Sequence, residues 1–278
     1  MVQPLTLGSS LPKSRAYFCH LRWRGRRRCI ACSSRSLSRY GNDRDECRIC
    51  KKRFSTFTGT YLDRMHLPWN DLSHLLYLFV LGVPVYRSDL YTTITMKTAY
   101  RYYTLFRQAI YDHSMREMQT VQLDGEIELD EALFGGRRHG KRGWGAAGKA
   151  MVFGMYKRNG RVMCFPVPSR SSNELIPLVT AHSKPGSLYF TDDYHAYASL
   201  AIRGNHVVVR KKDGIPSGRD HINGIEGFWS YTKHWLYQYR GVPQHHFHLY
   251  LKEMEYRFNN RDTNLFEPIA QLLVNPLR

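Results

Sequence analysis

The chain has 278 residues, of which 42% are hydrophobic and 13% aromatic, which favours a folded protein and excludes a disordered one. Its formal net charge of +18, from 41 basic and 23 acidic residues, favours a polyanionic partner, either nucleic acid or an anionic membrane surface. The longest apolar run, LLYLFVLGVPV at 75–85, is too short to span a membrane, so we expect no membrane-embedded segment. Six cysteines in a chain of this size favour a reducing cytoplasm over a disulfide scaffold.

The first 60 residues contain a short cysteine pattern behind a segment without periodicity. Residues 1–20 lack any helical or strand alternation, and we predict a flexible basic tail there. Residues 21–60 contain two CxxC pairs, and their four cysteines are Cys29, Cys32, Cys47 and Cys50. Each pair can turn two thiolates to one side of a tight loop, and two such pairs complete a tetrahedral site. The spacing predicts a zinc ribbon with one structural Zn²⁺ and no open coordination position.

Basic residues are concentrated in the same region. Residues 1–60 carry fourteen Lys or Arg against three Asp or Glu. Such a density predicts a surface that binds DNA phosphates, although a solvated charged face is the alternative. The candidate DNA contacts, including five positions further along the chain, are Arg22, Arg24, Arg26, Arg27, Arg28, Arg35, Arg39, Lys211, Lys212, Asn223, Lys233 and Arg240.

Residues 61–120 are dominated by helical patterns. PWNDLSHLLYLFVLG offers a helix start near Asn70 or Asp71 and a stop at Gly82, and a second helical stretch follows. Two helices around a tight break are compatible with a helix-turn-helix DNA-binding segment, and equally with a small helical bundle.

Residues 121–262 change to strand patterns. GEIELDEALF alternates, with Ile127 and Leu129 on one face and Asp130 on a polar face. Two further strands flank Asn159-Gly160, a strong hairpin signal. A helix predicted to be capped by Ser172 or Asn173, the strand SLYFT, a short helix, the strand HVVVR and two helices complete the module.

This order predicts a mixed α+β fold, in which three antiparallel strands are followed by alternating helices and strands. It is the element order of the ribonuclease-H-like fold. Residues 263–278 are predicted to be a C-terminal tail.

Three carboxylates lie in apolar surroundings within this module. Asp130 belongs to the first strand, Asp192 follows SLYFT, and Glu226 lies one turn into a helix. If they converge, they repel one another, and a divalent cation such as Mg²⁺ or Mn²⁺ compensates. Taken singly, each of these acids is more often a surface residue or a helix cap than a metal ligand.

Four stretches together resemble a known family: ELDEALFGG, YFTDDYHAY, HINGIEGFWSYTKHWL and YRFNNR. They resemble bacterial insertion-sequence DDE transposases, in particular the group related to Merlin elements, which also begin with a zinc ribbon and a helix-turn-helix. The resemblance covers about residues 25–262. It implies that Asp130, Asp192 and Glu226, the last two 34 positions apart, hold two Mg²⁺ or Mn²⁺ ions.

The implied activity is cleavage at terminal inverted repeats followed by strand transfer into target DNA. The implied assembly is a homodimer or larger homo-oligomer, in a cytoplasmic, nucleoid-associated protein. Asp193 is interpreted as a helix cap. His221 and Asn223 are candidates for touching DNA or orienting Glu226, or else for a solvated side chain and a helix cap.

Two other functions are compatible with these patterns. One is a ribonuclease-H-like nuclease or resolvase that uses the same carboxylates without strand transfer. The other is a non-enzymatic zinc-ribbon DNA-binding regulator.

Overall fold

The computed structural model describes residues 14–41, 44–135, 149–192, 197, 200, 204–209, 220–239 and 241–277. The chain divides into two compact units, one formed by residues 1–110 with 263–278 and the other by residues 111–262. In the part of the chain that the structure describes, no helix is both long and apolar enough to cross a membrane.

The described residues form seven α-helices and eight strands. In chain order they are α1 (Ser14–Trp23), β1 (Leu37–Arg39), β2 (Arg44–Cys47), β3 (Arg53–Ser55), α2 (Trp69–Val80), α3 (Met96–Met118), β4 (Glu126–Phe134), β5 (Ala150–Lys157), β6 (Val162–Val167), α4 (Ser172–His182), β7 (Leu188–Thr191), β8 (Asn205–Val208), α5 (Asn223–Tyr237), α6 (Phe247–Asn259) and α7 (Phe266–Val274). Short 3₁₀ helices at Val85–Leu90 and Gln244–His246 precede α3 and α6.

Within the described residues the strands form two sheets. β1, β2 and β3 make a small antiparallel meander in the first unit. The second unit has the order β6-β5-β4-β7-β8, in which β4, β5 and β6 are antiparallel while β7 and β8 run parallel to β4. The mixed α+β class and the mixed sheet predicted from the sequence are confirmed.

Both faces of the five-stranded sheet are buried. Ile127 and Leu129 on β4 and Tyr189 on β7 pack with residues of α4 in one cluster. On the opposite face, α5 and α6 contribute Ile225 and Leu251 to a second cluster. The polar face predicted for β4 is present, and α5 covers it, which leaves Glu128 only 1% exposed.

Two glycines allow α5 to approach this face closely. A Cβ at Gly154 on β5 would lie 2.5 Å from the ring of Trp229. A Cβ at Gly224 in the first turn of α5 would lie 2.1 Å from the ring of Tyr156. Since real Cβ atoms do not approach so closely, a side chain at either position would push the helix away from the sheet.

The first unit is held together by helices from both ends of the chain. On α1, Phe18 is fully buried and its ring lies 5.6 Å from that of Trp69, while the ring of Tyr17 lies 6.1 Å from that of Phe266 on α7. A flexible basic tail was expected at 1–20 and a C-terminal tail at 263–278. That expectation is wrong for residues 14–20 and for α7, because the apolar faces of these helices pack against each other and against α2.

Local turn and cap signals were largely accurate. α2 begins at Trp69, one residue before the predicted Asn70, and ends ahead of Gly82, whose φ is +76°. Asn159 adopts a φ of +55° at the hairpin turn, as an Asn-Gly pair predicts. The N-cap of α4 is Ser171, so the cap predicted at Ser172 or Asn173 is displaced by at least one residue.

Candidate active site

Asp130 lies in the middle of β4, directly opposite Gly154 on β5. The indole Nε1–H of Trp229 on α5 donates a hydrogen bond of 3.1 Å to Asp130 Oδ2. Trp229 is 4% exposed, so it belongs to the core and also contacts this carboxylate. Gly154 leaves the space that the indole ring occupies.

Asp192 follows the last residue of β7. Side chains alternate along this strand, because Phe190 packs on the α5 face and Tyr189 on the opposite face. Asp192 Oδ1 is buried and has no hydrogen-bond partner among the described residues. The hydroxyl of Thr191 donates to Asp192 O at 2.7 Å and lies 2.8 Å from His206 Nε2, which together fix the backbone at this position.

Glu226 lies in the first turn of α5 and is partly exposed. Its amide donates to Ile222 O at 3.1 Å, the first hydrogen bond of the helix. Asn223 is the first residue of α5 and exposed, and the N-cap position is occupied by Ile222, so Asn223 does not cap the helix.

The three carboxylates interact electrostatically. The pKa of Asp130 rises from 3.8 to about 6, chiefly through burial and with smaller contributions from the negative charges of Asp192 and Glu226, against hydrogen bonds from the Glu131 backbone and from Trp229. Their oxygens are not gathered as tightly as a metal-ligand cluster. Among the described residues, the four cysteines are the only group of three or more His, Cys, Asp or Glu whose ligand atoms all lie within 4.8 Å of one another.

Glu131, the next residue along β4, points to the opposite face of the sheet. It is 6% exposed, and burial raises its pKa to about 7. The hydroxyl of Tyr197 donates a hydrogen bond to Glu131 Oε1 and opposes that rise. The two acids of the Asp-Glu pair therefore occupy separate environments.

Two charged residues near this site were not singled out from the sequence. Glu128 is buried beneath the start of α5, and Arg158 binds it from the β5–β6 hairpin at 2.9 Å. The only sequence signal for Glu128 is its place two residues before Asp130 on the same face of a strand. Arg158 follows the hairpin strand and carries no motif.

The four cysteines of the first unit come together as predicted. Cys29 Sγ lies 3.5 Å from Cys50 Sγ, and Cys32 Sγ lies 3.5 Å from Cys47 Sγ. Hydrogen bonds from the backbone amides of Cys50 and Ile49 lower the pKa of Cys47 to about 6. Against a backbone hydrogen bond at Ser34, those with the neighbouring thiols raise the pKa of Cys32. This group can hold one metal ion.

The predicted phosphate contacts occupy different surroundings. Arg26, Arg28, Arg35 and Arg39 are exposed. Arg27 pairs with the buried Asp45 at 3.3 Å.

The two arginines at the end of α1 contact α7. Arg22 is partly buried and donates to Val274 O at 3.1 Å, while Arg24 donates to Gln271 Oε1 at 2.9 Å. In the second unit, Lys233 is exposed, with its Nζ 5.7 Å from the ring of Phe134. The other predicted positions, Asp193, Lys211, Lys212 and Arg240, lie outside the described residues.

Comparison with known proteins identifies the class. Residues 122–259, which contain all three carboxylates, match the ISXO2-like transposase domain. The chain is 35% identical over 115 residues to a transposase-like protein of Haemophilus influenzae, an alignment that covers 41% of this chain and 94% of that protein. It is 24% identical over 262 residues to a protein in transposable element ISH50 of Halobacterium salinarum, covering 85% of this chain and 87% of the relative. The chain belongs to the insertion-sequence transposases, and its residues 122–259 match the ISXO2-like domain of that group.

Proposed function

We propose that this transposase is a DDE enzyme, which binds the terminal inverted repeats of its element, cleaves DNA there and joins the freed ends to target DNA. The observation that carries the proposal is that Asp192, after β7, and Glu226, on α5, lie near enough to Asp130 on β4 for their charges to raise the pKa of Asp130. The sheet order β6-β5-β4-β7-β8 supports a ribonuclease-H-like catalytic domain.

The carboxylates fit a divalent metal site chemically. Asp192 Oδ1 is buried without a hydrogen-bond partner among the described residues, and Asp130 binds a proton more tightly than usual beside two other negative charges. Carboxylate oxygens are the ligands that Mg²⁺ and Mn²⁺ prefer, so we assign Asp130, Asp192 and Glu226 to two such ions. When bound, the ions activate water or a 3′-hydroxyl and stabilise the leaving oxygen in phosphodiester displacement.

The protein's own residues hold the carboxylates ready for this chemistry. Trp229 directs one oxygen of Asp130 through its indole N–H. Thr191 fixes the backbone carbonyl of Asp192. Glu226 is carried by a helix that packs on the sheet, so its position depends on how that helix is seated.

For the first unit we propose a structural Zn²⁺ and a DNA-binding role. Four sulfurs at about 2.3 Å from a tetrahedral ion are about 3.8 Å apart, close to the observed pairs of 3.5 Å. Exposed arginines of the ribbon, together with Lys97 and Arg101 in the first two turns of α3, supply positive charge for phosphates. Two copies acting on two element ends make a homodimer the simplest assembly.

The test is a strand-transfer assay with the purified full chain, Mg²⁺, DNA ending in the repeats that flank the gene, and a target plasmid. We expect joined products from the wild type and their loss in Asp192→Asn. Asp124→Asn, which alters an exposed carboxylate paired with Lys157 and Lys184, is the matched control and should retain activity.

Other results of this assay would indicate another function or contradict the carboxylate assignment. Cleavage without joining would indicate a nuclease or resolvase, and specific binding without cleavage would indicate a regulator. Full activity of Asp192→Asn would contradict the carboxylate assignment.

A further inference from the structure

The N-terminus of α5 is capped from a distant strand. The backbone N–H of Ile225 donates to Glu128 Oε2 at 2.9 Å, across 97 positions of sequence. The first amides of a helix have no partner within it, and Ile222, at the N-cap, has a hydrocarbon side chain that accepts no hydrogen bond. Glu128 on β4 therefore supplies an acceptor that the local sequence lacks, at the amide immediately before Glu226.

Arg158 holds this carboxylate in place. Its Nε donates to Glu128 Oε1 at 2.9 Å and its Nη1 to Glu126 Oε2 at 3.1 Å. Its Nη2 donates to the carbonyl oxygen of His221, just ahead of α5. The guanidinium carbon lies 3.6 Å from the centre of the Phe190 ring, and the side chain is only 11% exposed.

These contacts reach every element that carries one of the three carboxylates. Glu128 is two residues before Asp130 on β4, and Phe190 is two residues before Asp192 at the end of β7. The start of α5 lies close to the Glu128 carboxylate, because a Cβ added at Gly224 would be 2.9 Å from Glu128 Oε2.

We propose that Arg158 and Glu128 are positioning residues, which fix the start of α5 and thereby the distance of Glu226 from Asp130 and Asp192. This inference rests on the proposed function. Neither residue need touch DNA or metal. They act by holding the start of α5 in place against the sheet. Their loss should weaken metal binding and slow cleavage without weakening DNA binding.

Arg158→Lys tests the role because it keeps the charge but removes the planar fork. A single ammonium cannot bind two carboxylates and a carbonyl in the same directions. Arg161→Lys is the matched control. Arg161 lies on the same hairpin and donates two hydrogen bonds, of 2.9 and 2.6 Å, to a different carboxylate, that of Glu117.

Three quantities are measured on the full chain. Mn²⁺ binding is followed by electron paramagnetic resonance without DNA, repeat-end binding by fluorescence anisotropy, and single-turnover cleavage across a range of Mn²⁺ concentrations. For Arg158→Lys we expect Mn²⁺ affinity and the cleavage rate to fall by about 10- to 100-fold, as for other groups that orient metal ligands, with partial rescue at high Mn²⁺. DNA affinity should stay within about twofold, and Arg161→Lys should match the wild type.

Wild-type Mn²⁺ affinity and cleavage rate in Arg158→Lys would overturn the inference while leaving the proposed function intact. A wild type that neither cleaves nor joins would instead remove the proposed function. If Arg158→Lys does not fold, the isosteric Glu128→Gln decides by the same three measurements, because it keeps an acceptor for Ile225 but loses the charge that Arg158 binds. Unchanged Mn²⁺ binding and cleavage in Glu128→Gln would overturn the inference equally.

Discussion

Asp130 occupies a position that destabilises the folded protein when the residue is ionised. Its pKa rises from 3.8 to about 6, chiefly through burial. A rise of this size corresponds to a loss on the order of 3 kcal/mol in the free energy of unfolding. Because the folded state binds the proton more tightly than the unfolded chain does, the loss is absent below pH 3.8, grows with pH, and is complete above about pH 6.

Asp130→Asn should therefore stabilise the protein in buffer without added Mg²⁺. The expected gain is about 3 kcal/mol at pH 7 and roughly half of that at pH 5, with no further increase from pH 7 to 8. Urea unfolding curves at these pH values measure it.

Asp124→Asn is the control of opposite sign. Hydrogen bonds from Lys157 and then Lys184 lower the pKa of Asp124, so its ionised form stabilises the folded state above the unfolded pKa. That substitution should cost stability at neutral pH. An Asp130→Asn protein no more stable than the wild type at pH 7 would contradict the burial argument.

At the scale of elements, α6 is attached to the edge of the sheet by buried polar groups. Lys252 Nζ lies 2.6 Å from Glu255 Oε2, and that oxygen accepts from Cys164 N at 2.8 Å. Asn259 Oδ1 accepts a hydrogen bond of 2.7 Å from the amide of Val162, and Asn259 Nδ2 donates one of 2.9 Å to the carbonyl oxygen of Val162. These contacts give a structural reason for the YRFNN stretch that closes the domain, and they cover the edge strand β6.

The three short strands beside the four cysteines are the part of the fold that we expect to depend most on the proposed Zn²⁺. Its core cluster is small and built around Cys29, Cys47 and Phe54, too little apolar surface to hold three short strands by itself. Removing the proposed Zn²⁺ with a chelator should abolish hydrogen-exchange protection in β1, β2 and β3, and adding Zn²⁺ should restore it.

The amides of β4, β5 and β6 serve as the internal control in the same sample and should keep their protection. Unchanged exchange in the ribbon after verified metal loss would show that the strands are stable without zinc.

At the scale of the whole molecule, the C-terminal segment folds with the N-terminal unit. The amide of Leu277 donates to Gly59 O at 2.8 Å, and Gln271 Nε2 donates to Leu21 O at 3.4 Å. On α7, Ile269 and Leu273 are fully buried. The first unit is thus assembled from residues separated by the entire second unit.

Deleting residues 263–278 should destabilise the first unit selectively. Loss of the buried α7 side chains removes about 1.5–3 kcal/mol each, so α1 and α2 should lose several kcal/mol of protection in hydrogen exchange. The single substitution Leu273→Ala should produce a smaller change in the same helices, about 2–5 kcal/mol. The strands β4, β5 and β6 should be unaffected, and full protection of α1 in the truncated protein would contradict this assembly.

Local patterns were sufficient for much of the fold and for part of the site. The strand alternation around Asp130, the Asn-Gly hairpin and the paired cysteines were all predictable, because each depends on residues close together in sequence. The helices at residues 14–20 and in α7 were missed, since α1 and α7 pack against each other and against α2 and carry weak signals alone. The cap on α5 could not be predicted, because Ile222 offers none and Glu128 arrives from another element.

By itself, the sequence determined most of the strand and helix order and the four-cysteine pattern, because periodicity, turn chemistry and ligand spacing are short-range properties. Only the tertiary structure decided that Trp229 donates to Asp130 across 99 positions, that Glu128 and Arg158 seat the helix of Glu226, and that the two ends of the chain form one unit. The reason is that such contacts form only when distant segments are brought together by packing of the whole chain, and no local pattern specifies which segments will meet.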